Sequence, residues 1–182
     1  KVAPGEEIFL SPVIFFTAKN KTDLDAYKLH NWFNVRYPRR KTPILYNSWL
    51  YCFDRLNIDE LMHQADVAAE MGFEGFMIDA GWFGYGENWS ASVGDWVERQ
   101  TSGPCGRLGE LSQHVRDKGM VFGLWFEPER AVYVSRAVAE HPQYYINGGL
   151  GSHFLDFAND KAVAYILDAP SVNTEKCHIG WV

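Results

Sequence analysis

The sequence predicts an α/β fold of successive βα units that build a parallel sheet, preceded by a strand of a separate β domain. Three observations predict it. From residue 44 onward, short apolar runs alternate with amphipathic helical stretches. A unit of helix, glycine, apolar strand and acidic residue occurs twice, ending at Asp79 and at Glu127. An extended apolar segment precedes a linker punctuated by Pro38 and Pro43.

Taken in order, residues 1–18 read as the last strand of that separate domain, with Ile8-Phe9-Leu10 and Val13-Ile14-Phe15-Phe16 following the turn-forming Pro4-Gly5. Residues 19–42 read as a linker helix, because Leu24, Tyr27, Leu29, Trp32 and Phe33 recur at loosely helical spacing. Residues 43–182 carry the βα units. Residues 44–49 (Ile-Leu-Tyr-Asn-Ser-Trp) are the first strand. A helix over 58–71 follows, capped by Asp59, with Leu61, Ala65 and Ala68 on one face and Gly72 at its end. Residues 73–79 are the second strand. The Gly- and Trp-rich stretch 80–106 is a loop long enough to be functional. Leu108, Leu111 and Val115 mark a second helix closed by Gly119, and 120–126 is the third strand. Beyond it we expect a helix over 132–140, a short strand over 154–157, a helix from about residue 161, and at 179–182 the opening of another strand.

The composition bounds the function. With 47% hydrophobic and 22% charged residues the chain is globular rather than disordered. A net charge of −6 argues against nucleic acid as a partner, and the basic cluster Arg36 to Lys41 reads as a solvated connector. No apolar run is long enough for a membrane span, and no signal peptide is visible. Three cysteines without a Cys-x-x-Cys pair, and six histidines without metal-ligand spacing, lead us to expect no disulfide framework, no metal and no cofactor. Two matches to the glycosylation sequon, at Asn20 and Asn88, are short enough to arise by chance.

The strand ends carry the chemistry. In an open α/β sheet or a βα barrel, ligands bind at the carboxyl ends of the strands, where Asp79 and Glu127 fall. Paired carboxylates there suit a glycosidase, one as acid and one as nucleophile or base, and they equally suit substrate binding or helix capping. Trp49, Trp82 and Trp125 sit at or just past the three strand ends. Indoles beside carboxylates suit a sugar, which offers apolar C–H patches next to hydroxyls; the alternative for each is loop or barrel core. Asp95 and Asp156 read either as ligand groups or as caps, and Arg130 as the partner of Glu127 or Glu129 or as a substrate contact.

Five stretches then carry a resemblance: Asn47-Ser48-Trp49, Ile78-Asp79-Ala80-Gly81-Trp82-Phe83, Gly94-Asp95-Trp96, the run from Gly119 through Leu124-Trp125-Phe126-Glu127-Pro128-Glu129, and Leu155-Asp156-Phe157. Together they resemble the family 36 glycoside hydrolases, the bacterial α-galactosidases or melibiases, over nearly the whole chain. The resemblance implies a partial (β/α)₈ TIM barrel, its first three to four units, behind the remnant of a β-sandwich. It also implies retaining hydrolysis of terminal α-galactosides, with an α-galactoside oligosaccharide as the partner. In the family the aspartate nucleophile follows the fourth strand, so residues 179–182 would lie just before it. No catalytic carboxylate is then expected in this chain, which alone would be inactive. Asp79, Trp125, Trp49 and Trp82 become substrate-binding residues.

Two positions depart from the family pattern. Ala80 stands where a second aspartate is usual, and Gly149-Leu150-Gly151-Ser152 lacks an arginine the family often carries. Both changes remove polar groups from one pocket, so a different α-linked sugar or transglycosylation stays open. So does a catalytically silent carbohydrate-binding protein, or a working pair of Asp79 with Glu127. A homo-oligomer of the full-length protein is likewise left open.

Overall fold

The computed structural model describes residues 2–38, 41–86 and 88–182, so Arg39 and Arg40 of the basic cluster lie outside the described residues. The chain divides into two units, Lys1–Thr42 and Pro43–Val182. In the first, no strand occurs among the described residues, and the segment up to residue 18 exposes Phe9, Leu10, Val13 and Phe15. A π-helical stretch, Asp23–Leu29, continues directly into helix α1, His30–Arg36, where the helical spacing predicts it. Its start is tied by Asn20, whose side-chain oxygen accepts from the Asp23 amide at 2.9 Å.

The second unit is built on a parallel sheet ordered β1-β2-β3, with β1 at Leu45–Asn47, β2 at Gly75–Ile78 and β3 at Val121–Leu124. Register pairs Asn47 with Met77 and Ile78 with Leu124, so the strands reach their carboxyl ends together. Phe76, Ile78, Phe122 and Leu124 alternate along β2 and β3 and are fully buried. They share the core with Leu61, Ala65 and Ala68 of α3 (Ile58–Glu70) and with Leu108, Leu111 and Val115 of α4 (Leu108–Asp117). Each such side chain contributes roughly 1.5–3 kcal/mol by leaving water, alanine less.

The two glycines that close these helices do the same work. Gly72 (φ +85°) and Gly119 (φ +81°) adopt the left-handed conformation that lets the next amide reach back five residues: Phe73 donates to the Ala68 carbonyl at 3.0 Å and Met120 to that of Val115 at 3.3 Å. The predicted cap of α3 is corrected. Asn57, not Asp59, is the N-cap, its side-chain oxygen accepting from the amides of Asp59 and Glu60. Asp59 lies in the first turn and pairs instead with Arg107 at 2.9 Å.

The first strand is shorter than the sequence suggests. Trp49 belongs to a four-residue helix, α2 (Trp49–Cys52), because Asn47 Oδ1 accepts from the Trp49 amide and turns the chain out of the sheet. After β3 the expected short strand over 154–157 falls on β6 (Ser152–Leu155), two residues earlier, and the sequence reading misses its partners in a second, antiparallel sheet ordered β4-β6-β5, namely β4 (Arg130–Val132) and β5 (Tyr145–Gly149). Residues 130–132 join β4, which shortens the expected helix over 132–140 to α5, Arg136–Glu140. Helix α6, Asp160–Cys177, starts where predicted.

At the end of the chain, Gly180 donates to the Phe122 carbonyl and the Leu124 amide to that of Trp181, a parallel bridge beside β3. The approach is close enough that a Cβ on Gly123 would sit 2.9 Å from the Trp181 carbonyl oxygen.

Helices α3 and α4 are also joined by charge. Asp66 accepts from Lys118 and His114, both at 2.8 Å, and Arg107 bridges Asp59 and Glu110. Lys118, then His114, holds the Asp66 carboxyl below its ordinary range, and Arg107 does the same for Asp59 and Glu110. Carboxyls depressed in the folded state stabilise it above their unfolded pKa and lose that contribution as pH falls through the folded one. Thermal melting of the protein should therefore drop as pH falls below about 4. Asp66→Asn should flatten part of that slope, which a melting series at several pH values checks.

Candidate functional site

Asp79 is the first residue past the central strand. Its amide donates to Ser48 Oγ at 3.0 Å, and Ser48, fully buried, donates its own amide to the Met77 carbonyl. One carboxylate oxygen accepts from Asn47 Nδ2 at 2.8 Å and the other from the Ala80 amide at 2.8 Å. The carboxylate is thus fixed by both neighbouring segments while the residue stays part-exposed, with lone pairs left for further donors.

Indoles stand on either side of this strand end. Trp125 follows β3 and its amide donates to the Ile78 carbonyl at 2.9 Å, beside Asp79. Trp49 follows β1. A third indole, Trp89 of the long loop, joins them: it meets Trp49 edge-on at 5.6 Å and Trp125 edge-on at 6.2 Å. All three are half-buried, leaving apolar surface beside a carboxylate. Sequence reading missed Trp89, noticing its stretch only as a sequon, although an indole in a functional loop next to two strand-end indoles was a usable signal. The loop holds it in place through Ser92, whose hydroxyl donates to the Asn88 carbonyl and accepts from the Gly86 amide and the Arg99 guanidinium.

Trp82 departs from expectation. It is fully buried, so its ring has no face to offer a sugar. Its Nε1 donates to the Trp125 carbonyl at 3.0 Å, and its ring packs on Phe83, Trp96 and Phe126. It therefore supports Trp125 from behind, the core alternative weighed for it.

The remaining acids are occupied structurally. Glu127 takes Arg130 in a two-point ion pair at 2.5 and 2.7 Å, which uses both of its oxygens and separates it in role from Asp79. Asp95, buried at 7% exposure, accepts from the amides of Arg136 and Ala137 and so caps α5 from across the chain. Burial pushes its carboxyl up, opposed by those two hydrogen bonds. Glu98 accepts from the Leu108 amide at the start of α4, and Asp156 from the Ala158 amide in the turn before α6. Ala80 is buried at 2% exposure within the core, and Leu150 lies fully exposed in the β5–β6 turn. Among the described residues no three His, Cys, Asp or Glu side chains gather as a metal would require, and no helix is long and apolar enough to cross a membrane.

The melibiase family model matches residues 10–182. The chain belongs to the melibiase family. It is 34% identical over 149 residues to the α-galactosidase Mel36A of Lactobacillus acidophilus, covering 79% of this chain and 20% of that protein. Against the α-galactosidase AgaA of Geobacillus stearothermophilus it is 28% identical over 180 residues, 92% of this chain and 25% of the relative. Among solved structures, the α-galactosidase of Lactobacillus brevis superposes with a TM-score of 0.70 at 32% identity, covering 80% of this chain and 20% of that one. A variant of AgaA solved in complex with stachyose gives 0.68 at 29% identity, over 78% and 21%. The chain thus spans about a fifth to a quarter of the length of these melibiase relatives.

In this melibiase chain the buried Trp82 braces the backbone of Trp125. Trp82→Phe keeps an aromatic ring but leaves the Trp125 carbonyl without its donor, which should cost about 1–3 kcal/mol of stability. Chemical denaturation of the variant measures the loss.

Proposed function

We propose that this chain supplies part of the sugar-binding wall of an α-galactosidase that hydrolyses terminal α-galactosidic linkages. The single observation that carries the reading is the carboxylate of Asp79, fixed by Asn47 and the Ala80 amide at the end of the central parallel strand, between the strand ends that bear Trp49 and Trp125. The relatives named above are α-galactosidases, and one was solved with a galactose-containing oligosaccharide bound.

In this reading Asp79 accepts hydroxyl protons of the terminal sugar, and Trp125, with Trp49 and Trp89, packs against its C–H faces. The hydrolysis is a double displacement. A carboxylate outside these residues attacks the anomeric carbon while an acid protonates the leaving oxygen; water, deprotonated by that same group, then releases the sugar with its configuration retained. The chain on its own is inactive in this account. Residues 43–182 are the first units of a (β/α)₈ barrel, residues 1–18 belong to a β-sandwich domain without forming a strand among the described residues, and the helix within 19–42 links the two.

Asp79→Asn in the whole protein should lower kcat/KM for an aryl α-galactoside about ten- to a hundredfold, the loss of about 1.5–3 kcal/mol from a charge-assisted pair of hydrogen bonds. Steady-state kinetics with and without azide decides the role. Near-complete inactivation rescued by azide would make Asp79 the nucleophile instead, and an unchanged kcat/KM would make it structural. Binding of galactose without any turnover by the unmodified protein would favour the silent carbohydrate-binding reading.

A further inference from the structure

A half-open cavity of about 580 Å³ lies between the long loop and helices α5 and α6, and none of Asp79, Trp49, Trp89 or Trp125 lines it. Its volume falls within the roughly 300–1,000 Å³ of small-molecule sites. We propose that this cavity is a second saccharide site, taking a neutral mono- or disaccharide.

Two aromatic walls are held in advance of any ligand. The Tyr85 ring is stacked by the Arg136 guanidinium, 3.7 Å from its centroid. The Tyr165 ring is braced by His141 and Tyr144, at 4.7 and 5.6 Å between centroids. Rings fixed in this way lose little freedom when a sugar's C–H face packs on them. Burial, followed by nearby Asp95 and Glu140, pushes the Tyr165 phenol up, so it remains a neutral hydroxyl able both to donate and to accept.

Charge selects the ligand class. Glu140 and Asp168 line the cavity together with Asp95 and Glu98, whose carboxylates are already bonded to helix amides, and the one cation among its described lining residues, Arg136, is engaged on Tyr85. A phosphate or carboxylate would be repelled there, whereas sugar hydroxyls donate to carboxylates without adding a like charge, and those bonds offset the desolvation. Trp96 forms part of the wall and also packs on Trp125 at 6.0 Å, so the cavity and the strand-end indoles share one ring.

The test is calorimetric titration of the whole protein with D-galactose, the probe for both sites. Two binding events are expected. Tyr85→Ala, at an exposed position that does not threaten folding, should weaken one of them about two- to tenfold. Glu140→Gln, also exposed, should weaken the same event, and Asp79→Ala should remove the other. A single event that is abolished by Asp79→Ala and untouched by Tyr85→Ala and Glu140→Gln would overturn the proposal. So would galactose 1-phosphate binding at the Tyr85-dependent site as tightly as galactose. If Asp79→Ala removes nothing while the Tyr85-dependent event persists, the proposed function fails and the second site stands.

Discussion

The arrangement depends on β2 being paired on both edges, in parallel, with its two neighbours in step. Parallel pairing brings three carboxyl ends to one rim, and the register Asn47–Met77 and Ile78–Leu124 puts Asp79 between the residues that leave β1 and β3. Of the two polar contacts described for the Asp79 carboxylate, the Ala80 amide is local and the one to Asn47 follows from that alignment. Asn47 reaches it because β1 ends one residue short of Ser48, and Ser48 can bond the Asp79 amide because its own amide continues the ladder onto Met77. A slip of one residue would reverse the faces of the sheet and break the Asn47 and Ser48 contacts.

Around that rim the indoles act at two depths. Trp49, Trp89 and Trp125 present partial surface, while Trp82 spends its ring on packing and its one donor on the Trp125 backbone. A buried tryptophan whose N–H has a partner is a stable support, and here the supported group is the half-buried Trp125. The long loop is therefore a folded object rather than a flexible lid. Its turns converge on the Ser92 hydroxyl, and its acids run out to the starts of two helices.

Much of this was legible in the sequence. The repeated grammar of helix, glycine and apolar strand located β2, β3, α3 and α4, because apolar periodicity and a left-handed glycine are local properties. The belt of strand-end residues followed from the same grammar, and with it Asp79, Trp49 and Trp125. What escaped was set by partners distant in the chain. The strands of the second sheet are short and, at Asn147-Gly148-Gly149, rich in residues poor at forming strands, so only pairing with Ser152–Leu155 makes β5 a strand. Asn57 and Asp59 are both good capping types, and the pattern that favours Asn57, a helix beginning at Ile58 with Glu60 three residues after the cap, was passed over. Trp82 and Trp125 look alike at the ends of their strands, and only packing shows that one faces inward.

Asp95 carries a consequence for the order in which the molecule can be assembled. It bonds the amides of Arg136 and Ala137, at separations of 41 and 42 residues, whereas Asn57 caps α3 from the adjacent position. Until residue 137 has emerged from the ribosome and folded back, that carboxylate lacks the two amides that satisfy its buried position. Helix α3 and its glycine turn can form early from nearby contacts, while the long loop beside the strand ends must wait for a long-range closure. Synthesis from the amino end thus brings out the scaffold before the segment that closes the long loop, and a pause that holds residue 137 inside the ribosome once residue 124 has emerged would leave the strand ends paired and the loop open.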